Sequence, residues 1–217
     1  HISAYSLIIE EGTPFYKLYG NFPGSQELPD EDLERDMYAE TKEILAEHEY
    51  ERYEISNYAM PGFECRHNTG YWTGAEYLGV GLGASSYLLN RRFHSEKDLN
   101  TYLNIRMHED LTPLYQDVEE LSEAERMEEF MYLGLRMMKG VSGSDFMHLF
   151  GQNMFNVFSE PIHRNISMHL LQEDAPYLRL TDRGIDVSNR VFADFYGAVK
   201  DGNESSNKYI QRRQNNE

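Results

Sequence analysis

The sequence predicts an α/β fold in which strands and helices alternate through the first half and a small, mostly helical, winged-helix-like domain follows. Three observations carry this expectation. β-Branched and aromatic runs at residues 1–9 and 53–58 flank a helical stretch starting near Pro29, an order that builds parallel sheets. Beyond residue 121, apolar residues recur at helical spacing, interrupted by one short ribbon-like run, Tyr177-Leu178-Arg179-Leu180. With 217 residues, 40% hydrophobic and 13% aromatic, the chain can bury a core and is too apolar to be disordered.

The opening run His1-Ile2-Ser3-Ala4-Tyr5-Ser6-Leu7-Ile8-Ile9 reads as a buried strand ended by the turn signal Glu10-Glu11-Gly12-Thr13-Pro14. Chains rarely start inside a core strand, so the sequence is expected to be the later part of a longer protein. Phe22-Pro23-Gly24-Ser25 is loop. A helix is expected from Pro29-Asp30, with Leu33, Met37, Thr41, Ile44 and Leu45 on its buried face. Tyr53-Glu54-Ile55-Ser56-Asn57-Tyr58 alternates as a second strand, stopped by Pro61-Gly62. A third strand is expected over 77–80 and a short helix over 97–107.

Residues 111–120 are acidic and irregular, a linker. Ser122-Glu123-Ala124-Glu125 forms a capping box in which Ser122 and Glu125 each satisfy a free backbone N–H. The helix it opens carries Ala124, Met127, Met131, Leu135 and Met138 on one face, with Gly140 suited to its C-terminal cap. Helices over 144–150 and 153–171 lead to the ribbon. Thr181-Asp182-Arg183-Gly184 is a turn or helix start, and a last helix presents Ile185, Ser188, Phe192, Phe195 and Val199 on one face. The tail from Asp201 is nearly free of apolar residues and is expected to be disordered. The expected division is a first domain over 1–110, a linker over 111–121, a helical domain over 122–200 and a tail over 201–217.

Twenty Lys and Arg against 37 Asp and Glu give a formal charge of −17. That excludes non-specific nucleic-acid binding, which needs a basic footprint, and simple attraction to an anionic membrane surface. No apolar run reaches membrane-span length and no signal-peptide pattern opens the sequence, so the expected location is the cytoplasm. The single cysteine, Cys65, excludes an internal disulfide, a multi-cysteine zinc site and an iron–sulfur cluster held by this chain's own thiolates. Residues 27–54 and 109–129 hold 12 and 9 of the acids. They read as solvated helix faces, with an acidic docking surface as the other reading.

The densest chemistry lies just after the second strand, where Cys65-Arg66-His67-Asn68-Thr69-Gly70-Tyr71-Trp72 gathers the only cysteine and the only tryptophan beside a histidine. Loops beyond strand ends are where open α/β folds and barrels place ligands. His67 suits a metal or haem iron through its neutral imidazole, with Tyr71 and Trp72 packing on a flat ligand. The other reading is a histidine bound to a backbone carbonyl while the aromatics close a barrel end. Gly79-Val80-Gly81-Leu82-Gly83-Ala84 matches G-x-G-x-x-A without the helix or the acid of a dinucleotide site. Its glycines either admit a ligand close to the backbone or make a tight strand exit. Cys65 beside Arg66 and His67 lacks the orienting partner of a catalytic pair.

Four segments, Ser3 to Pro14, Tyr53 to Cys65, His67-Asn68-Thr69-Gly70-Tyr71-Trp72 and Tyr77-Leu78-Gly79-Val80-Gly81-Leu82-Gly83-Ala84-Ser85-Ser86-Tyr87, together resemble the HemN/HemW family of oxygen-independent coproporphyrinogen III oxidase-like radical S-adenosylmethionine (SAM) proteins. Arg126-Met127-Glu128-Glu129, Gly140-Val141-Ser142 and Leu180-Thr181-Asp182-Arg183-Gly184 resemble that family's C-terminal domain. The His67-Asn68-x-x-Tyr71-Trp72 segment is similar to the HemW haem-chaperone branch. The resemblance implies the last strands and helices of a partial β/α, radical SAM-type barrel followed by the helical domain. It implies haem contacts at His67, Asn68, Tyr71 and Trp72, with His67 toward the iron, and SAM contacts at Ile8, Ser85, Gly81 and Gly83. The family's C-x3-C-x2-C cluster loop is absent from these residues.

The expected function is therefore that of the C-terminal portion of a HemW-like protein that binds and transfers haem. The full-length protein would carry SAM and a 4Fe-4S cluster, and would pass haem or a porphyrin to a haem-accepting protein; the portion here would be inactive. The alternatives are an oxygen-independent coproporphyrinogen III oxidase in haem biosynthesis and a non-catalytic acidic interaction module.

Overall fold

A computed structural model describes residues 1–20, 28–105 and 114–199. The loop at 22–25, the start of the linker and the tail from 201 lie outside the described residues. The strands described form three antiparallel sheets of three strands each.

The first sheet contains β1 (Ile2–Ser3), β2 (Glu51–Glu54) and β3 (Asn57–Ala59), with α1 (Pro14–Tyr19) and α2 (Glu31–Glu47) between β1 and β2. Pro14 opens α1 behind the Thr13 cap. The Asp30 carboxylate accepts from the Leu33 N–H at 2.9 Å to start α2, and Glu31, Asp32 and Glu34 sit favourably at the positive end of its dipole. The face of α2 expected to be buried is only partly so. Leu33, Met37 and Ile44 are exposed, while Tyr38, Thr41 and Leu45 are half-buried. The alternating run at 53–58 is likewise not one strand. Ile55-Ser56 turns the chain so that Arg52 pairs with Tyr58, and β3 then pairs antiparallel with β1 through Ile2 and Tyr58. The cause is Glu54, whose buried carboxylate accepts from the Ser56 N–H at 2.9 Å and from the Asn57 amide, stapling a turn inside the run. The strand–helix–strand order thus makes no parallel pair here.

After α3 (Arg66–Trp72), the second sheet is built from β4 (Ser85–Leu88) and β5 (Arg91–Ser95), and it is completed beyond α4 (Leu99–Asn104) by β6 (Tyr115–Glu120). Leu89 and Asn90 both take positive φ, the conformation of a two-residue primed hairpin turn. The strand expected over 77–80 reduces to one bridge between Tyr77 and Tyr87. Gly81 and Gly83 adopt φ of 112° and 67°, a left-handed path that ends extension and leaves Val80 exposed. Residues 115–120, expected to be irregular, are a strand. Arg91 on β5 pairs with Glu120 on β6 at 3.1 Å and Arg92 lies opposite Glu119 in the register, so the acids that suggested a linker sit across from the arginines of β5.

The remaining elements are α5 (Glu123–Gly134), β7 (Val141–Ser142), α6 (Gly143–Phe150), α7 (Met154–Val157), α8 (Ser159–Ser167), β8 (Leu171–Asp174), β9 (Tyr177–Leu180), α9 (Asp182–Asp186) and α10 (Ser188–Ala193). Helices followed by a sheet in the order β7-β9-β8 give the winged-helix-like arrangement expected. The capping box of Ser122 and Glu125 is formed. α5 ends at Gly134, earlier than Gly140. Gly140 serves instead a close approach. At φ 76° a Cβ there would lie 2.1 Å from the Leu178 carbonyl oxygen. The helix expected over 153–171 is broken at Phe158, and the last helix is broken at Val187. Met131, Leu135, Phe146, Phe158, Leu178, Val191 and Phe195 form the fully buried centre of this domain. Before residue 121, only Tyr58 and Ala59 are buried hydrophobics among the described residues, so the core is a property of the second half.

Candidate functional site: an aromatic cleft beside α3

α3 sets the geometry of the motif residues. At 3.6 residues per turn, positions four apart share a stripe, so His67 lies above Tyr71 and Asn68 above Trp72 on an adjacent stripe. The His67 Nε2 is 2.9 Å from the Tyr71 hydroxyl, and their rings meet edge-on with centroids 4.6 Å apart. Tyr71 continues edge-on to Tyr77 at 4.7 Å. His67 is exposed and the others of the motif are half-buried. Asn68 turns away from this stripe and donates to the Tyr53 hydroxyl at 3.1 Å, tying α3 to β2. Trp72 packs under the Arg136 guanidinium, 4.2 Å from the ring centroid. Arg136 also faces the fully buried Glu54 at 3.9 Å.

Tyr71 and Trp72 line a cleft of about 740 Å³ between the first half of the chain and the C-terminal domain. That volume lies within the usual range for small-ligand pockets. Its aromatic lining comes from several elements: Tyr77 from the loop after α3, Tyr87 from β4, Phe130 from α5, Phe150 from α6 and Tyr177 from β9. Arg92 crosses the gap to Glu129 with two parallel hydrogen bonds of 2.6 and 2.9 Å. Burial pushes the Glu129 carboxyl above its usual range, while Arg92 pulls the other way. The Tyr132 phenol is pushed up as well, first by burial and then by the Glu129 charge.

The structure brings Tyr71 and Trp72 into the cleft and His67 to Tyr71, but Asn68 serves β2. The other site candidates lie outside the lining. Ile8 is exposed between β1 and α1, and Ser85 is exposed at the start of β4 opposite His94. Gly81 and Gly83 sit in a turn held by the Ser95 hydroxyl, which donates to the Gly81 carbonyl and accepts from the Ala84 N–H at 2.9 Å. Cys65 is a half-buried free thiol at the N-cap of α3. Sequence reasoning missed the far wall, Phe130, His148, Phe150 and Lys139. These residues show no spacing that marks them as a group, and only the docking of α5 and α6 beside α3 assembles them.

Comparison with known proteins now defines the class. Residues 121–187 match the HemN C-terminal domain. The heme chaperone HemW of Lactococcus lactis is 37% identical over 197 residues, covering 90% of this chain and 50% of that protein. HemW of Bacillus subtilis is 32% identical over 199 residues, covering 92% of this chain and 52% of that protein. The chain therefore spans about half the length of the curated relatives it matches. The fold matches that of the coproporphyrinogen III oxidase HemN from Escherichia coli, described as a radical SAM enzyme, with a TM-score of 0.60 at 16% identity over 77% of this chain and 42% of that one. The fold is thus a mixed α/β unit joined to a HemN C-terminal domain. Residues 121–187 belong to the HemN C-terminal domain family, and over nine tenths of its length the chain is similar to heme chaperone HemW.

The residues present do not fit the cluster such proteins carry. A four-iron cluster needs several thiolates, and Cys65 is the only one in the sequence. Among the described residues no three His, Cys, Asp or Glu side chains converge on a metal-sized point. No helix among them is long and apolar enough to cross a membrane.

Proposed function

We propose that this chain is the haem-handling part of a HemW-like cytoplasmic protein, with the α3 segment His67-Asn68-Tyr71-Trp72 as its haem contact. The observation that carries the reading is the paired geometry of His67 and Tyr71 on one helix stripe, with Tyr71 and Trp72 forming part of an aromatic cleft. An exposed imidazole can offer a ring nitrogen to iron, and tyrosine and tryptophan faces accept a flat macrocycle. Tyr71 holds the His67 ring through its hydroxyl, and Asn68 and Arg136 fix the helix from behind.

In the longer protein, Ile8 and Ser85 would contact SAM, with Gly81 and Gly83 in the adjoining turn and the cluster thiolates coming from other residues. SAM would supply the radical chemistry, and the haem would pass to an acceptor protein. Exposure of Ile8 and Ser85 supports this part of the reading. Titration of hemin into the 217-residue chain and into His67→Ala tests the contact. The expected result is saturable binding whose Soret band is shifted in the native chain and altered in the variant. Identical Soret changes in both would remove His67 from the site.

A further inference from the structure

We propose that the outward face of α2 is a docking surface for a basic amphipathic helix of another protein. The inner side of α2 is held in place. The Tyr38 hydroxyl donates to the Ile55 carbonyl, the Arg52 guanidinium lies 5.4 Å from the Tyr38 ring centroid, and Lys42 meets Asp182 at the start of α9 at 3.3 Å. Helical periodicity puts Tyr38, Thr41 and Leu45 together on that inner side, and it puts Leu33, Met37 and Ile44 within about 40° of one another on a second stripe. This second stripe is open to solvent, its residues being 51%, 51% and 48% exposed. It runs for about 16 Å along the helix, some three turns.

The acids of α2 are not spread evenly around it. Glu40, Glu47, Asp36, Glu43 and Asp32 follow one another round the helix along one border of the stripe, all within about 100° of Leu33. Asp32 is engaged by Arg35 at 3.1 Å, whereas Asp36, Glu40, Glu43 and Glu47 make no ion pair or side-chain hydrogen bond among the described residues. Arg35 and Lys42, the cations of the helix, lie on its far side and are already paired. Asp36 with Glu40, and Glu43 with Glu47, are like charges four residues apart, which destabilise the helix that carries them. An open apolar stripe is likewise unfavourable in water. Both costs are relieved by the same occupant: a helix that lays its own apolar seam on Leu33, Met37 and Ile44 and sets Lys or Arg against the acidic border. A second copy would bring another acidic helix, and an anionic membrane another negative surface, so like charge opposes both.

The probe is a fluorescein-labelled helical peptide the length of α2, with leucines at i, i+4, i+7 and i+11 and lysines along one border of that seam. Its anisotropy is followed on titration with the native 217-residue chain, with Met37→Ser/Ile44→Ser and with Glu40→Gln/Glu43→Gln/Glu47→Gln, beside a scrambled peptide of the same composition. The native chain should bind saturably, with chemical-shift changes centred on α2. Affinity should fall about tenfold in each variant and for the scrambled peptide, and should weaken as salt rises. The substituted side chains are all exposed, so the fold should survive, and matching urea denaturation curves check this. Equal binding by the scrambled peptide, or by the Met37→Ser/Ile44→Ser chain, would reduce the contact to non-specific attraction by a chain of charge −17 and overturn the proposal. Self-association of the native chain that the same variant abolishes would give the face to a second copy instead. Loss of peptide binding in the longer protein proposed above would give it to that protein's own interior. Either result overturns the proposal, and neither touches the haem reading.

Discussion

The Arg136 guanidinium lies 4.2 Å from the centroid of the Trp72 ring and bridges, on its other side, to the buried carboxylate of Glu54 at 3.9 Å. One side chain thus joins α3, the β2–β3 hairpin and the segment leaving α5. Backbone bonds reinforce the junction, from the Ile55 N–H to the Arg136 carbonyl at 3.2 Å and from the Met138 N–H to the Tyr53 carbonyl at 3.0 Å. These contacts tie the two halves of the chain together beside the cleft, which Trp72 lines.

Replacing Arg136 with Ala should cost about 2–3 kcal/mol, because it strips the ring contact and leaves the Glu54 carboxylate buried without a cation. Trp72 is the only tryptophan, so intrinsic fluorescence reports the site directly. Urea denaturation and the emission maximum should both change. An unaltered emission maximum would mean that Arg136 does not shield Trp72.

Glu128 holds the end of the described chain. Its buried carboxylate accepts from the Gly197 N–H at 2.8 Å and the Val199 N–H at 2.9 Å. Glu128→Ala should cost about 1–3 kcal/mol by leaving those donors unmet, and should speed hydrogen exchange at both amides. Unchanged exchange at Gly197 and Val199 would show the contact to be idle.

His94 and Asp117 form a pH-dependent pair. Both His94 ring nitrogens have acceptors, the Ser95 carbonyl at 2.9 Å and the Asp117 carboxylate at 2.8 Å, and only the imidazolium donates to both. The bond to Ser95, followed by that to Asp117, raises the His94 pKa, and the bond to His94 lowers that of Asp117. A raised histidine contributes stability that is complete below about pH 6.5 and is lost as pH rises through its higher folded value. A lowered aspartate contributes above about pH 3.9 and loses this as pH falls through its folded value. NMR titration should place the His94 midpoint above the ordinary range, and Asp117→Asn should lower it without fully normalising it. A midpoint unmoved by that substitution would break the pairing.

Gly140→Ala should destabilise the C-terminal domain by about 2–4 kcal/mol, measured by urea denaturation, because the residue combines positive φ with the approach of the Leu178 carbonyl. The β7–β9 pairing flanks this point, so loss of protection at Val141 and Leu178 should accompany it. Native-like stability in the variant would mean the backbone can shift there at little cost.

Local signals were legible in the sequence wherever the contact that matters is itself local. Asp30 capping α2, the reciprocal cap of Ser122 and Glu125, and Thr181 opening α9 each act over three residues. The motif order across the chain pointed to the family, and the single cysteine excluded a cluster held here. The His67–Tyr71 pair followed from helical spacing once residues 66–72 were known to be a helix. Extended segments were harder to read. The run at 53–58 has the alternation of one strand, yet a buried side chain bends it. The acids at 115–120 look like a linker until the arginines of β5 are placed opposite them.

By itself, the sequence determined the caps, the helical faces of the C-terminal domain and the residue types available for chemistry, all of which act through neighbours along the chain. Tertiary structure alone decided that Arg92 meets Glu129 across 37 positions, that Glu128 meets Val199 across 71, and that His148, Lys139 and Phe150 share a cleft with Tyr71. Such meetings depend on how apolar faces dock and bury, a cooperative outcome of the whole core that no short window of residues encodes.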